Sequence, residues 1–347
     1  MRPLRIRLPN AWHHVINRGL NRMTLFLDNR DREHRLELLS KLPERFGVII
    51  HAYALMDTHD HFLLQVPRNN LDAAMQWFNM SYGVWFNKRH QRLGKVFSSP
   101  YKAILVEEDG SWALDLSRYI HLNPIRTATL GLDKTTRAQE KRGGTLPPSS
   151  ELITRRLKTL RGYRWSSYPA FAGYRSVPEW LCTAELWRRV SGNRNDGTNA
   201  YRKWIEEYVR QHVKEIDEEE LPHTLVNGSP GFRESMRPLL HGDRREQPEL
   251  RQWDQAFPFA NIISAVESAK GEPWDAFRER HGDVGRDLVF HLARRHSGLT
   301  LRQIGEQSGG LHYVAVSNAL RRFNQRLESD RSLQRLKKIA ETKLLNV

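Results

Sequence analysis

The chain has 347 residues, of which 39% are hydrophobic, enough for two or three domains with packed cores. Lys and Arg outnumber Asp and Glu by 55 to 40, and the resulting net charge of +15 favours a polyanionic partner such as nucleic acid. The single cysteine excludes an internal disulfide, and the lack of a long apolar run or a secretory signal predicts a cytoplasmic protein with no membrane partner.

Hydrophobic period and turn residues predict alternating strands and helices in the first part of the chain. In chain order these are a strand at 12–17, a helix at 30–46, strands at 48–56 and 61–66, a helix at 71–89 and a strand at 102–106. This β-α-β-β-α-β order predicts an α+β fold with a split ferredoxin-like sheet, covered by two helices on one face. A third helix, from about residue 111 to 123, is available to the other face.

The rest of the chain divides by composition into three predicted parts. A flexible basic loop and an aromatic segment occupy 127–180, with the Gly, Pro and Ser-rich stretch ending near 155. A mostly helical connecting region follows over 181–270 and includes an acidic surface connection at 212–225. The first domain is expected to span 1–126 and the last 271–347.

The last domain has a helix-turn-helix pattern. A capping box at Thr300 and Gln303 begins one helix, and a Gly-Gly turn separates it from a second helix at about 313–327. The apolar stripe of the second helix leaves a polar, basic face for a DNA groove, which carries Ser317, Asn318, Arg321 and Arg322. This domain is therefore expected to be all-α and to bind DNA.

Two pairs of residues predict a chemical site in the first domain. His59 and His61 alternate along a strand and so project from one face of the sheet, where two imidazoles can hold one metal ion. Tyr119 and Asn123 are four residues apart and share one helix face. Periodicity alone also allows ordinary surface histidines and a tyrosine that only packs its helix.

Four ordered blocks make the first domain recognisable: HVINRG (14–19), YALMDTHDHFLLQV (53–66), FNKRHQRLGKVFSSPYKAILVEED (86–109) and RYIHLNPIR (118–126). In order and spacing they resemble the REP-associated tyrosine transposases, a branch of the HUH single-tyrosine transposases. WSSY at 165–168 is similar to a further element of that family.

The resemblance implies a metal-dependent single-strand DNA endonuclease and strand transferase. It implies that Tyr119 is the nucleophile, that His59 and His61 bind a divalent ion, Mg²⁺ or Mn²⁺, and that Asn123 is the third ligand. It also implies hairpin-forming repeat DNA as the substrate and a 5′-phosphotyrosine as the intermediate. Basic residues in or beside the blocks are expected to contact phosphates, namely Arg18, Lys88, Arg89, Lys95 and Lys102.

The chain departs from the family at the residue between the two histidines, which is normally bulky and hydrophobic. Asp60 stands there, and Asp57 and Thr58 replace the usual Pro and Asn. A buried carboxylate must be protonated, paired with a basic residue, or close enough to an edge to reach water. The departure leaves open a second function: a DNA-binding regulator, or a binder of repeat DNA, whose transposase domain has lost activity.

The segment TLRQIGEQSGGLHYVAVSNALRRF (300–323), preceded by RDLVFHLARRHSG, resembles the DNA-binding domain of the bacterial replication initiator DnaA. His312, Tyr313 and Val314 stand where that family has polar base-reading residues, so the resemblance implies binding to duplex DNA without the initiator's sequence preference. The sequence leaves open the DNA sequence recognised, a monomer or a homodimer, and whether Tyr119 acts in its own chain or in a partner.

Overall fold

A computed structural model describes residues 6, 8–98, 100–132, 148–192, 196–210, 225–239, 257–297, 299 and 301–345. The chain divides into two compact units, residues 1–242 and residues 243–347. None of the described helices has both the length and the apolar character needed to cross a membrane.

The first unit is built on a mixed sheet whose four long strands are antiparallel neighbours. The strands are β1 (Ala11–Arg18), β2 (Ile49–Met56), β3 (His59–Val66) and β4 (Lys102–Val106), followed by a short β5 (Val226–Asn227). Their spatial order is β2-β3-β1-β4-β5, with β5 parallel to β4. The split ferredoxin-like prediction is confirmed for the first four strands, while β5 extends the sheet beyond the prediction.

The helices α1 (Asn29–Ser40), α2 (Leu42–Phe46) and α3 (Leu71–Arg89) include the two predicted helices of the first domain. Residues 30–46 were expected to form one helix, but the helix breaks at Lys41. Pro43 lies in the first turn of α2, where its missing N–H costs nothing, but it cannot supply the N–H that a continuous helix needs. Gly47 then ends α2 at a φ of 68°.

The helix α4 (Trp112–Leu122) packs against β2 and β3. Its buried side chains include Leu116, Ile120 and Leu122, which join the hydrophobic core of the first unit. The predicted end at Asn123 is one residue late, because Asn123–Ile125 forms a 3₁₀ turn that contains Pro124. Proline disfavours helical geometry in the residue before it, so the chain leaves α4 at this point.

The first unit continues beyond the predicted catalytic domain with further helices. They are α5 (Ser150–Gly162), α6 (Tyr168–Phe171), α7 (Ala184–Ser191), α8 (Gly197–Arg210) and α9 (Pro230–Met236). The predicted loop is wrong for residues 150–155, where the Ser149 side chain caps α5 and Leu157 and Leu160 are buried. Residues 133–147, and all but the last residue of the acidic segment 212–225, lie outside the described residues.

The helices of the second unit pack around a hydrophobic core of their own. The helices are α10 (Phe259–Lys270), α11 (Trp274–Phe277), α12 (Val284–His296), α13 (Leu301–Gln307), α14 (Tyr313–Ser329) and α15 (Arg331–Leu345). The predicted turn contains Gly309 and Gly310 at positive φ. Thr300, half of the predicted capping box, lies outside the described residues.

Candidate active site

Two histidines from β3 lie on the sheet face that α4 covers. Because side chains alternate along a strand, His59 and His61 share this face while Asp60 points to the other. Their ring centroids are 4.9 Å apart and the rings are nearly perpendicular, at 84°. His61 is buried and His59 is half-buried. The predicted pair is therefore adjacent in space.

The ring of Tyr119 meets this pair from α4. Its centroid lies 5.6 Å from that of His61, and the Tyr119 side chain is 6% exposed. Asn123 follows one turn later, where its side-chain nitrogen donates to the carbonyl oxygens of Tyr119 (3.0 Å) and Ile120 (3.4 Å). Neither bond uses the amide oxygen of Asn123, the atom that a cation would bind.

A third histidine, His14 on β1, belongs to the same cluster and was missed by the sequence reasoning. Its Nε2 and the Nδ1 of His61 lie 2.9 Å apart in a hydrogen bond. Its ring centroid lies 5.8 Å from that of Tyr119. The signal was present in the sequence, since His14 opens the first family block. Alternation along β1 points His14 to one face of the sheet and Asn17 to the other.

Burial keeps the inner imidazoles neutral. It lowers the pKa of His14 to about 3, with Lys102 adding to the effect. Burial also lowers the pKa of His61 well below its usual value, and the positive charges of Arg126 and Arg18 add to the effect. A neutral imidazole is the form that binds metals and accepts hydrogen bonds.

Arg126 is the second residue that sequence reasoning missed. Its guanidinium carbon lies 4.3 Å from the centroid of the Tyr119 ring, which is the geometry of a cation–π contact. Arg126 ends the last family block and follows the 3₁₀ turn that contains Asn123. The turn brings this positive charge back over the tyrosine.

Residues 8–123 match the model of a protein family described as "Transposase IS200 like". This part of the chain resembles the IS200-like transposases. The match confirms the tyrosine-transposase resemblance inferred from the four sequence blocks, and we call the matched residues the transposase domain. No curated protein matches the chain.

The matching solved structures include one described as "Structure of the REP associates tyrosine transposase bound to a REP hairpin". Its identity to this chain is 11%, and the TM-score is 0.34. The alignment covers 52% of this chain and 91% of that one.

Asp60, the departure from the family pattern, is paired with a basic residue on the opposite face of the sheet. Both Asp60 and Arg35 are fully buried, and the guanidinium of Arg35 donates twice to one carboxylate oxygen, at 2.9 and 3.0 Å. The other carboxylate oxygen accepts from the side chain of Asn17 at 2.6 Å. Asn79 accepts from Arg35 and donates to Asn17, which closes the network. Pairing is thus the outcome among the three possibilities for this carboxylate.

The other two departures lie in the turn before β3. Asp57 forms an ion pair with Arg32. The hydroxyl of Thr58 lies 3.2 Å from Nδ1 of His59. Nδ1 of His59 and Nδ1 of His61 therefore each have a neighbour that orients the ring.

The WSSY segment fastens α4 of the transposase domain to the edge strand β2. The Ser167 hydroxyl accepts from the backbone N–H of Tyr53 at 2.9 Å and lies 2.7 Å from Nε2 of His121. The other nitrogen of His121 lies 2.8 Å from the hydroxyl of Tyr201 on α8. His121 is fully buried and only two residues from Tyr119, so this chain of hydrogen bonds fixes the helix that carries the tyrosine.

The basic residues predicted to contact DNA differ in their availability. Arg18, Lys88 and Lys95 are exposed, while Lys102 is half-buried close to His14. Arg89 forms ion pairs with Asp28 and Asp31 in the transposase domain. Arg89 is thus a poorer phosphate ligand than the sequence suggested.

The predicted recognition helix corresponds to α14 of the second unit. Its buried side chains are Val316, Ala319, Leu320 and Phe323. The side chains predicted to face DNA are exposed at Ser317, Asn318 and Arg321 and half-buried at Arg322. Gly305 of the preceding helix α13 lies against the turn that leads into α14. A Cβ at this position would lie 2.0 Å from the carbonyl oxygen of Leu311, so the close approach requires glycine.

Proposed function

We propose that the transposase domain cleaves and rejoins single-stranded DNA through a covalent bond between Tyr119 and a phosphate. The observation that carries this proposal is the meeting of Tyr119, from α4, with the histidine pair of β3. A phenol that only packed its helix would need no cluster of neutral imidazoles and no guanidinium over its ring.

In the proposed reaction the Tyr119 oxygen attacks phosphorus in line with the departing 3′ oxygen. The bond from tyrosine to phosphorus forms as the bond from phosphorus to the 3′ oxygen breaks. The phenol gives up one proton and the departing oxygen takes up one to become a free 3′-hydroxyl, so the step has no net proton change. Because the phosphotyrosine conserves the energy of the phosphodiester, another 3′-hydroxyl can reverse the step and join a new strand without ATP.

The donors suit one divalent cation, which we assign to Mg²⁺ or Mn²⁺. Among the described residues no cluster of three or more His, Cys, Asp or Glu side chains is placed to hold a metal, so the proposed set needs an amide. Under the proposal the ligands are Nε2 of His59, Nε2 of His61 and the amide oxygen of Asn123. A bound cation would neutralise a non-bridging phosphate oxygen.

The protein's own residues have three roles in this mechanism. His14 holds the ring of His61 through Nδ1, as a partner of a ligating histidine does in other metal sites. Arg126 supplies positive charge beside the phenol and the incoming phosphate. The hydrogen bonds of His121 keep α4 in place.

The test is an adduct assay with labelled hairpin DNA, the full-length protein and Mg²⁺ or Mn²⁺. We expect a protein-linked fragment on a denaturing gel and its loss in Tyr119→Phe. Tyr163→Phe is the matched control, since that hydroxyl donates to the carbonyl oxygen of Leu55 on β2. An adduct that persists in Tyr119→Phe refutes the nucleophile. DNA binding without any adduct supports the alternative of a non-catalytic DNA binder.

The second unit is proposed to bind duplex DNA through the exposed face of α14. The supporting observation is that the apolar residues of this helix are buried while the polar and basic ones are exposed. Arg321→Ala is expected to weaken duplex binding and to reduce its salt dependence, as the loss of one phosphate or base contact would. Arg335→Ala, an exposed change on α15, is the control.

A further inference from the structure

The turn after β1 holds two successive residues with side chains in the left-handed region of the backbone. Asn21 has φ 50° and ψ 32°, and Arg22 has φ 61°. The N–H of Met23 donates to the carbonyl oxygen of Leu20 at 2.9 Å and closes the turn. Positive φ at both central residues is the mark of a type I′ turn. We call residues 20–23 the 20–23 turn.

Arg22 is the residue that this geometry disfavours. A type I′ turn usually has Asn first and Gly second, because glycine adopts positive φ without steric cost. Asn21 fits this pattern, since Asn tolerates the left-handed region. Gln91 also adopts positive φ, but it follows the C-cap of α3, where left-handed residues commonly end helices. Arg22 follows no α-helix, so its backbone conformation has a steric cost with no such local reason.

The surrounding chain imposes this conformation on the 20–23 turn. The N–H of Leu20 donates to the carbonyl oxygen of Val96 at 3.0 Å, and the N–H of Gly19 donates to that of Thr58 at 2.8 Å. A Cβ on Gly19 would lie 2.1 Å from the carbonyl oxygen of Met23, so the turn folds tightly back on its own start. Backbone strain that is held in this way is concentrated at functional sites.

The 20–23 turn lies beside the candidate active site. Arg18, the last residue of β1, is opposite His59 in the pairing of β1 with β3. Gly19 is bonded to Thr58, whose hydroxyl lies 3.2 Å from Nδ1 of His59. The contacts that hold the turn in place therefore also hold the strand end that carries a proposed metal ligand.

The side chain of Arg22 is exposed and forms no ion pair or hydrogen bond with the residues that the structure describes. Asp57 of the neighbouring turn forms its ion pair with Arg32 instead. A second cation, Arg92, donates to the sulfur of Met23 at 3.5 Å, which adds positive charge beside the turn. A guanidinium binds a phosphate through two parallel N–H donors. The turn, Leu-Asn-Arg-Met, has no aromatic ring on which a base could stack.

We propose that the 20–23 turn presents Arg22 to a phosphate of the single strand at the active site, close along the strand to the phosphate that Tyr119 attacks. The proposal rests on the proposed function in taking single-stranded DNA as the ligand, and it needs no cleavage. The rigid turn holds the backbone of Arg22 in one conformation, so less conformational freedom is lost when the strand binds.

The first test measures binding to full-length Tyr119→Phe, the parent protein, in which cleavage is removed. The probe is a DNA hairpin with single-stranded tails, in which one phosphate at a time is replaced by an uncharged methylphosphonate. We expect one replacement in a tail to weaken binding roughly tenfold, as the loss of a charge-assisted hydrogen bond does. The same replacement should have little effect when Arg22→Gly is added. Arg45→Gln removes an exposed charge on α2 and should leave the effect intact.

The second test separates a functional role of Arg22 from a structural one. Arg22→Gly removes the strain together with the side chain, so its Tm should be about 2 °C higher than that of the parent. Gln91→Gly removes strain at the end of α3 and should raise the Tm in the same way. Only Arg22→Gly should weaken binding to the hairpin, and it should lower the slope of log Kd against log salt concentration by about 0.7, the share of one single-strand phosphate.

Equal methylphosphonate effects in Arg22→Gly and its parent would overturn the proposal. A lower Tm in Arg22→Gly would also overturn it, because the arginine would then stabilise the fold. If an abasic nucleotide loses its effect in Arg22→Gly and no methylphosphonate does, Arg22 contacts a base and the proposal is wrong. A wild-type adduct without any Arg22-dependent phosphate counts only against this inference. Arg22-dependent binding without an adduct counts only against the proposed cleavage.

Discussion

Replacing Asp60 by leucine is expected to destabilise the transposase domain by about 3–5 kcal/mol, the usual cost of removing one partner of a buried ion pair. Asp60 and Arg35 are both inaccessible to solvent, and the carboxylate accepts both short bonds from the guanidinium. Burial alone lowers the pKa of Arg35, while Asp60 is the first of the influences that raise it again. Without Asp60, that positive charge retains the oxygens of Phe78 and Asn79 as hydrogen-bond acceptors. It also keeps the rings of Phe78, Tyr82 and Phe97, which do not replace a carboxylate.

The double variant Asp60→Leu with Arg35→Met is expected to regain most of this loss, since well-packed apolar residues often replace a buried pair at little cost. Recovery is incomplete because the Asn17 side chain loses the acceptor of its 2.6 Å bond, at about 1–3 kcal/mol. Urea unfolding of the wild type, both single variants and the double variant gives the coupling energy. Additive effects, or a stable Asp60→Leu protein, would refute the reasoning.

Three further predictions concern the site. His14→Ala should weaken Mn²⁺ binding roughly ten- to hundredfold in calorimetry, because the ring of a ligand loses its support; unchanged affinity would remove His14 from this role. Arg126→Gln should slow adduct formation roughly a hundredfold, whereas Arg118→Gln, whose guanidinium lies over Trp204 and Tyr208, should not. Burial lowers the pKa of His121 to about 3 in the folded state. Only the unfolded chain gains this proton as pH falls below 6.5, so His121 should account for about 2 kcal/mol of the stability lost by pH 5. His121→Asn should remove that part of the urea-unfolding pH profile, while His14 and His61 keep their own contributions.

Local periodicity was sufficient for much of the fold. The strand pattern and the helix at 71–89 follow directly from which residues can be buried, and the bounds of α3 and β4 are as predicted. The missed break before α2 depended on Pro43, whose effect is local but competes with a continuous apolar pattern. The two residues of β5 pair with β4 from more than 100 positions away, and so short a strand has no periodicity to detect.

The site was predictable in its pairs but not in its full membership. Spacing of two along a strand and of four along a helix places His59 with His61 and Tyr119 near Asn123. Which side chains of β1 meet them depends on the register of β1 with β3, which is a non-local property. His14 and Arg126 lie in the family blocks, but their contacts with the site depend on the sheet and on the turn after α4.

Asp60 also explains how β3, the strand that carries both site histidines, keeps its register with β1. A shift of one residue along β3 would turn both site histidines toward α1 and α3 and would bring Asp60 to the α4 face. A hydrophobic residue at this position opposes the shift only through the apolar area it buries. Asp60 opposes the shift through hydrogen bonds to Asn17 on β1 and to Arg35 on α1. These bonds are directional, and a shift of one residue would break them. Asp60, the residue whose departure from the family pattern suggested a loss of activity, thus keeps the two imidazoles on the face where Tyr119 lies.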